Sequence, residues 1–329
     1  MYNFSVDDIF SIKSNDQFNS IALKIFNHQA ENNPVYKKYL FHLGTKISEI
    51  NNIHQIPFLP IEFFKSQNII TGENNPVKTF FSSGTTGTER SNHHITDISI
   101  YEKSFLIGFE QQYENVDDYC ILALLPTYLE NESSSLVYMV NSLIKKSKHP
   151  ESGFYLHNID QLAFKLKVLD KSNKKIILIG VSYALIDLAE QFPMNLSNTI
   201  VMETGGMKGK RKELTKKELH HLLESKLGVK SIHSEYGMTE LLSQAYSSKD
   251  GKFSTPPWMK IIIRDTYDPF ALLENGKSGG INIIDLANIN SCSFIETKDI
   301  GKINEDNSFE VLGRFDYSDI RGCNLLVAE

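Results

Sequence analysis

Residues 77–88 read VKTFFSSGTTGT, a short run of β-branched and aromatic residues followed at once by a loop of glycine and hydroxyl residues. Glycine lets the backbone approach an anion closely, and the hydroxyl and N–H groups can donate to phosphate oxygens. The lysine that a Walker A loop places after its second glycine is missing here. An ordinary turn that ends a strand has the same composition. The candidate phosphate-binding residues are Ser82, Ser83, Gly84, Thr85, Thr86 and Gly87.

Downstream of this loop, short apolar runs alternate with stretches of helical periodicity. The predicted strands are 119–125, 175–180, 199–203 and 229–233, and the predicted helices are 136–144, 162–169, 183–192 and 215–227. The last helix is the best marked, because Thr215 and Glu218 form a capping box and Gly228 follows its end. Alternation of this kind predicts an α/β fold with a parallel sheet covered on both faces.

The two ends of the chain differ from this middle part. Apolar residues between 18 and 26 have helical spacing, and Pro57 and Pro60 predict an extended connector. After Trp258 the pattern changes to successive strands at 259–265, 280–286, 293–297 and 309–312. We therefore expect one large lobe over 1–329, with a helical part (1–76), an α/β core with the nucleotide motifs (77–257) and a β-rich portion with a tail (258–329).

Composition excludes several classes of protein. The formal charge of the 329 residues is −6, which disfavours nucleic acid as a partner. No signal peptide or integral membrane segment is visible. The three cysteines lack metal-ligand spacing, so free thiols and a cytoplasmic location are expected.

A second motif, SEYGMTE at 234–240, follows an apolar run. A nucleotide site needs a flat aromatic ring for the base, a glycine where the backbone passes close, and a carboxylate for Mg²⁺. Tyr236, Gly237 and Glu240 fit these roles. A turn with one buried tyrosine and a helix that begins at Thr239 is the structural alternative.

Two further candidates lie near the end of the chain. The first, ETKDIG at 296–301, places Asp299 at the end of a predicted strand, where a carboxylate can accept both hydroxyls of a ribose. The second, GRFD at 313–316, has Arg314 after a glycine. Each pattern is also typical of ordinary turns.

Taken in order, SSGTTG, EYGMTE, TKDIG and GRFD resemble the core motifs of the adenylate-forming superfamily of acyl-CoA synthetases, adenylation domains and luciferases. The segments between them, such as FNHQAENNPVYKKYL (26–40), IPFLPIEFFKS (56–66) and GMTELLSQAYS (237–247), resemble one branch. That branch is the acyl-protein synthetases of the bacterial luminescence fatty-acid reductase system, near phenylacetate-CoA ligase. The resemblance covers almost the whole chain and implies the large N-terminal lobe of the adenylate-forming fold.

The resemblance also implies a chemistry, in which ATP activates a carboxylic acid, here a fatty acid, to an acyl-adenylate and a thioester then forms. Matching positions imply that residues 82–87 hold the triphosphate and that Tyr236 and Gly237 flank adenine and the acyl carbonyl. Thr239 would touch the α-phosphate, and Glu240 would bind Mg²⁺. The remaining nucleotide contacts would come from Asp299 to the ribose, from Arg314 to ribose or phosphate, and from Gly205 and Gly206 on the adenine side.

The chain departs from its relatives at several positions. Arg90 stands near the place where many have a lysine after the loop, and Lys298 stands where a glycine is common. The mobile C-terminal lid domain of the superfamily is expected to be absent, so the acyl group must be delivered differently. Acyl-protein synthetases carry it on a C-terminal cysteine, which points to Cys323, with Arg321 favouring the thiolate; an idle thiol is the alternative.

Three functions follow for comparison. The first is an ATP-dependent acyl-protein synthetase that acylates its own thiol or a partner protein, either a reductase or a carrier. The second is an acyl-CoA ligase of the phenylacetate type. The third is a non-catalytic nucleotide-binding subunit. His93 and His94 are poor joint metal ligands, because adjacent strand residues point to opposite faces, so we assign this pair a structural role. His220 and His221 lie on the helix that begins after Thr215 and are expected on its surface.

Overall fold

The computed structural model describes residues 5–83, 90–126, 129–205 and 214–315. Its helices are α1 (Val6–Phe10), α2 (Asn15–Asn32), α3 (Pro34–His42), α4 (Phe63–Ser66), α5 (Ile98–Tyr113), α6 (Ser135–Ser147), α7 (Ile159–Leu169), α8 (Ser182–Gln191) and α9 (Lys216–Leu227). Its strands are β1 (Leu59–Pro60), β2 (Lys78–Phe81), β3 (Asn92–Ile95), β4 (Tyr119–Leu124), β5 (Gly153–Phe154), β6 (Lys175–Val181), β7 (Thr199–Thr204), β8 (Ile232–Tyr236), β9 (Ala245–Ser247), β10 (Met259–Arg264), β11 (Ser278–Asp285), β12 (Phe294–Ile303) and β13 (Phe309–Arg314).

A six-stranded sheet with the order β5-β4-β6-β7-β8-β9 forms the α/β core. All neighbours in it are parallel except β8 and β9, and β4 is buried along its whole length. This arrangement confirms the predicted parallel sheet. Helix α9 begins after the Thr215–Glu218 capping box and ends at Gly228, whose φ of +67° suits a glycine.

One strand of this sheet lies further along the chain than predicted. The apolar run 229–233 is not the strand itself, because the chain is still leaving α9 at 229–231 and β8 spans Ile232–Tyr236. Glu235 and Tyr236 of the second motif are therefore inside the strand rather than after it. Because β7 runs parallel to β8, their carboxyl ends meet at one edge of the sheet.

A second sheet has the order β1-β12-β11-β10, with β13 paired to β12. Here β12 has 10 residues and continues well past the predicted end at 297, because β11 and β13 pair with it on either side. The prediction that Asp299 lies at a strand end is therefore wrong: Asp299 lies inside β12, opposite Arg314 of β13.

The first motif lies on a separate ribbon, in which β2 and β3 pair antiparallel. The helical N-terminal part packs against the second sheet through buried amides as well as apolar side chains. Gln29 Nε2 donates to the Asn288 carbonyl at 3.0 Å, and Asn33 Nδ2 donates to the Ser291 carbonyl at 2.8 Å. The stripe of α2 that the sequence predicted is buried as expected. Within the described residues, no helix is both long and apolar enough to cross a membrane.

Candidate active site

Three residues from three predicted motifs meet between the two sheets, where the carboxyl end of β8 approaches β12 and β13. The hydroxyl of Tyr236, the last residue of β8, donates to Asp299 Oδ2 at 2.8 Å. Arg314 Nε donates to the other carboxylate oxygen, Asp299 Oδ1, at 3.0 Å. The sequence predicted each of these residues separately, and the structure brings them into direct contact.

The cluster leaves Asp299 able to bind a further hydroxyl pair. Each carboxylate oxygen has more than one acceptor site, so the bonds from Tyr236 and Arg314 do not exhaust it. Burial and the neighbouring Asp299 carboxylate raise the pKa of Tyr236 well above its usual value, which keeps the phenol protonated as a donor. Asp299 is buried, whereas 70% of the Arg314 side chain is exposed, so most of its guanidinium can contact a ligand.

Residues 238–243, here called the 238–243 segment, follow β8 and include Thr239 and Glu240. Its backbone is held from two directions. The Thr239 carbonyl accepts from His93 at 2.8 Å, and the Glu240 carbonyl accepts from Asn288 Nδ2 at 2.7 Å. The backbone N–H of Leu242 donates to Asp285 Oδ2 at 3.0 Å, which fixes the end of the segment.

The Glu240 carboxyl is 6% exposed and lies next to the first motif. Burial raises its pKa, while a hydrogen bond from Ser91 and the positive charge of Arg314 lower it. A buried carboxylate of this kind gains from a nearby cation. Mg²⁺ is usually held by one or two carboxylates, with phosphate and water oxygens completing its octahedron. The part of the chain that the structure describes has no cluster of three or more His, Cys, Asp or Glu suited to a metal.

The base of the phosphate-binding loop is closed by hydrogen bonds between its two ends. Ser82 N donates to the Ser91 carbonyl at 3.0 Å, and Ser91 N donates to Ser82 Oγ at 2.9 Å. Arg90 Nε donates to the Ser82 carbonyl at 2.6 Å. Of the predicted loop residues, Ser82 and Ser83 are described, whereas Gly84, Thr85, Thr86 and Gly87 lie outside the described residues. Ser91 thus links the loop to the Glu240 carboxyl.

The glycine pair predicted on the adenine side follows β7, which ends at Thr204, one residue later than predicted. Gly205 has a φ of +67°, and its carbonyl accepts from Ser182 Oγ at 2.6 Å. Gly206 lies outside the described residues. Gly205 and Tyr236 therefore lie at the carboxyl ends of neighbouring parallel strands, the place where ligands bind in open α/β sheets.

Two buried glutamates, Glu203 of β7 and Glu235 of β8, lie on the strands that form this edge, and sequence reasoning assigned a role to neither. Burial would raise the pKa of Glu203, but the His220 ring, 3.6 Å from its carboxylate, and the Lys216 ammonium at 2.5 Å lower it to about 2. Burial raises the pKa of Glu235 to about 7, even though Thr204 Oγ1 donates to its carboxyl. The expectation that His220 lies on the surface is wrong, because its ring faces β7 and β8 and is 6% exposed.

Gly237 is required by close packing rather than by an unusual φ. A β-carbon at this position would lie 2.5 Å from Glu235 Oε1 and 3.4 Å from Gln244 Cγ. The missing side chain therefore leaves room for the Glu235 carboxyl beside the backbone that the resemblance places at the acyl carbonyl.

The family model described as acyl-protein synthetase, LuxE, matches residues 8–329. The chain belongs to the LuxE acyl-protein synthetase family. This membership confirms the predicted enzyme class, a ligase, and its chemistry of ATP-dependent acyl activation and transfer. A curated relative, the long-chain-fatty-acid–luciferin-component ligase of Vibrio harveyi, is 22% identical over 346 residues, which cover 97% of this chain and 90% of the relative.

Solved structures of adenylate-forming ligases share the fold. An open conformation of 2-hydroxyisobutyryl-CoA ligase superposes with a TM-score of 0.68 at 11% identity and covers 92% of this chain and 75% of that one. ATP-bound MatB from Rhodopseudomonas palustris superposes with a TM-score of 0.55 at 15% identity over 72% of this chain. The chain spans about half (47%) of that MatB structure. These similarities confirm the predicted α/β architecture of the large adenylate-forming lobe.

Proposed function

We propose that this LuxE family member activates a fatty acid with ATP and passes the acyl group to a protein thiol. A carboxylate oxygen of the acid attacks the α-phosphorus, the bond to the β-phosphate oxygen breaks, and pyrophosphate leaves. A thiolate then attacks the acyl carbonyl of the acyl-adenylate, and AMP leaves as the thioester forms. The observation that supports this proposal most strongly is the Tyr236–Asp299–Arg314 cluster beside Glu240.

The proposed role of each residue comes from the resemblance and, for the described residues, from the contacts given above. Asp299 accepts the ribose hydroxyls through the acceptor sites that Tyr236 and Arg314 leave open, and Arg314 contacts ribose or phosphate from its exposed side. Tyr236 and Gly237 flank adenine and the acyl carbonyl. Gly205 and Gly206 border adenine, and residues 82–87 hold the triphosphate. Catalysis then comes mainly from alignment of the two reactants and from neutralisation of charge.

We assign Thr239 and Glu240 to the reacting phosphate because the 238–243 segment lies beside the Tyr236–Asp299–Arg314 cluster. Thr239 would contact the α-phosphate, and Glu240 would hold Mg²⁺ with its buried carboxylate. When bound, Mg²⁺ neutralises phosphate charge and favours departure of pyrophosphate. The proposal for Mg²⁺ is supported by the donor chemistry of Glu240 and by its raised pKa, which binding of a cation would lower.

We propose Cys323 as the acceptor thiol, because the two described cysteines are poorly suited to this role. Cys120 and Cys292 are both buried and free. Burial raises the pKa of Cys120 and raises that of Cys292 to about 12, so neither forms a thiolate readily near neutral pH. Cys323 lies outside the described residues, and its role, like that of a reductase or carrier as the next acceptor, stays a prediction. A cytoplasmic location is proposed with it, since a free acceptor thiol needs a reducing compartment.

The first experiment measures acid-dependent exchange of labelled pyrophosphate into ATP over a panel of aliphatic and aromatic acids. We expect exchange with aliphatic acids. If no acid of the panel supports exchange, only the third function, a non-catalytic nucleotide-binding subunit, would remain. Formation of acyl-CoA that requires added CoA would favour the phenylacetate-type ligase instead.

The second experiment tests the acceptor with labelled acid. Cys323→Ser should keep pyrophosphate exchange and lose covalent acyl label, whereas the matched control Cys120→Ala should keep both. Label that persists on the Cys323→Ser protein would contradict the assignment.

A further inference from the structure

His93 lies on the strand that leaves the phosphate-binding loop. Its side chain is 1% exposed, and its ring packs edge-on against Phe64 with centroids 5.5 Å apart. Successive strand residues point to opposite faces, so His93 shares a face with Ser91, while His94 faces the other way. His94 contacts Thr79 Oγ1 at 2.9 Å, away from the candidate site.

The hydrogen bonds of His93 define its tautomer. The Thr239 carbonyl can only accept, so His93 Nδ1 carries the hydrogen and donates at 2.8 Å. Burial lowers the pKa of His93 to about 4, so the ring is neutral near pH 7. Its Nε2 atom is then an acceptor, and Ser291 Oγ donates to it at 2.8 Å. Both ring nitrogens are satisfied, and rotation of the ring would break two buried hydrogen bonds.

One face of β3 and the residues leading into it therefore contact both parts of the proposed phosphate site. Ser91 N donates to Ser82 Oγ at the base of the loop at 2.9 Å, and the Ser91 side chain lies close enough to the Glu240 carboxyl to lower its pKa. Two residues later, His93 bonds to the backbone of Thr239, the residue before that acid. His93 and Thr239 are 146 residues apart in sequence, so this hydrogen bond ties β3, the strand that follows the phosphate-binding loop, to the 238–243 segment.

We propose that His93 is a positioning residue, which sets the distance between the phosphate-binding loop and the Thr239–Glu240 pair. It touches neither nucleotide nor metal, and it acts through the Thr239 carbonyl. The proposal rests on the proposed roles of Thr239 and Glu240. A rigid link between the two halves of the site would keep the α-phosphate contact and the metal carboxylate aligned before ATP binds.

Two substitutions separate the two hydrogen bonds of the ring. The amide of Asn is attached at Cγ, close to the place of Nδ1, so His93→Asn can still donate to Thr239 while losing Ser291. The longer His93→Gln can accept from Ser291 near the place of Nε2 but no longer donates to Thr239. Since both variants lose ring packing and one ring hydrogen bond, a purely structural role would affect them alike. His94→Asn and His94→Gln, on the opposite face of the same strand, are the matched controls.

The first readout does not depend on catalysis. In the nucleotide-free protein, hydrogen–deuterium exchange of peptides that contain residues 238–244 should be faster in His93→Gln than in His93→Asn, and the His94 controls should match wild type. The second readout is pyrophosphate exchange. Loss of a buried hydrogen-bond partner predicts that kcat/KM falls about tenfold or more in His93→Gln, mainly through KM for MgATP, and stays within about threefold of wild type in His93→Asn.

Equal deuterium exchange and equal kcat/KM in the two His93 variants would overturn the proposal, even if both variants were less stable than wild type in thermal unfolding. A wild-type protein without any pyrophosphate exchange would instead refute the proposed function, while the deuterium measurement would still decide whether His93 holds the 238–243 segment.

Discussion

Tyr236→Phe tests the nucleotide cluster by removing one oxygen atom. The substitution deletes the hydroxyl that donates to Asp299 Oδ2 at 2.8 Å and keeps the ring that packs against Phe253 and Phe309. A hydrogen bond to a charged group contributes about 1.5–3 kcal/mol, because a buried carboxylate left unsatisfied is costly. The ion pair with Arg314 compensates little, since 70% of that side chain is exposed and surface pairs contribute about 0–1 kcal/mol.

The expected result is a rise of about tenfold or more in KM for ATP in pyrophosphate exchange, because each 1.4 kcal/mol corresponds to about one factor of ten. The KM for the acid should stay close to wild type. The matched control is Tyr39→Phe, which removes another half-buried hydroxyl, one that donates to the Phe58 carbonyl at 3.0 Å far along the chain from the motifs. If both variants lost similar stability and neither changed KM for ATP, the Tyr236 hydroxyl would have no part in binding the nucleotide.

Two further predictions concern the buried glutamates. Folding raises the pKa of Glu235 from about 4.5 to about 7. The folded protein therefore loses stability as the pH rises from about 4.5 to about 7, because the buried carboxyl must ionise. Glu235→Gln removes this cost, so the variant should unfold at a higher temperature than wild type above pH 7 but not below pH 4. Lys216→Met leaves the Glu203 carboxylate without its ammonium partner and should lower the free energy of unfolding by about 3 kcal/mol in urea, whereas the exposed neighbour Lys217→Met should change it little. Equal pH profiles in the first case, or equal urea midpoints in the second, would contradict these expectations.

The order of motifs was predictable from sequence because each motif is local. Residues such as Tyr236, Glu240 and Arg314 lie next to glycines and apolar runs that mark strand ends, so their residue types and spacing are visible without the fold. The parallel sheet was predictable for the same reason, since its strands are buried on both faces and appear as continuous apolar runs.

The side chains that hold the site in place were not predictable, because they are far from it in sequence. His93, Asp285 and Asn288 form hydrogen bonds with backbone atoms of residues 239–242. Because every residue has the same backbone groups, the sequence does not show which of them a distant side chain will contact. The length of β12 likewise depends on pairing with β11 and β13, so a prediction from the local apolar pattern ended this strand before Asp299. The burial of His220 was missed because it adjoins the leucine stripe of α9 and its partner is a glutamate on another element.

The environments of the three buried glutamates explain which one suits a metal ion. The Lys216 ammonium already compensates the charge of Glu203 and, with the neighbouring His220 ring, holds its pKa at about 2. Glu235 has a pKa of about 7 and lies against the backbone of Gly237, so it is partly protonated near neutral pH. Glu240 differs from both, because burial raises its pKa and, among the described side chains, only Ser91 beside the phosphate-binding loop and Arg314 at the nucleotide cluster are found to lower it. A cation that arrives with ATP would therefore complete the charge balance at Glu240, whereas at Glu203 it would have to displace an existing partner.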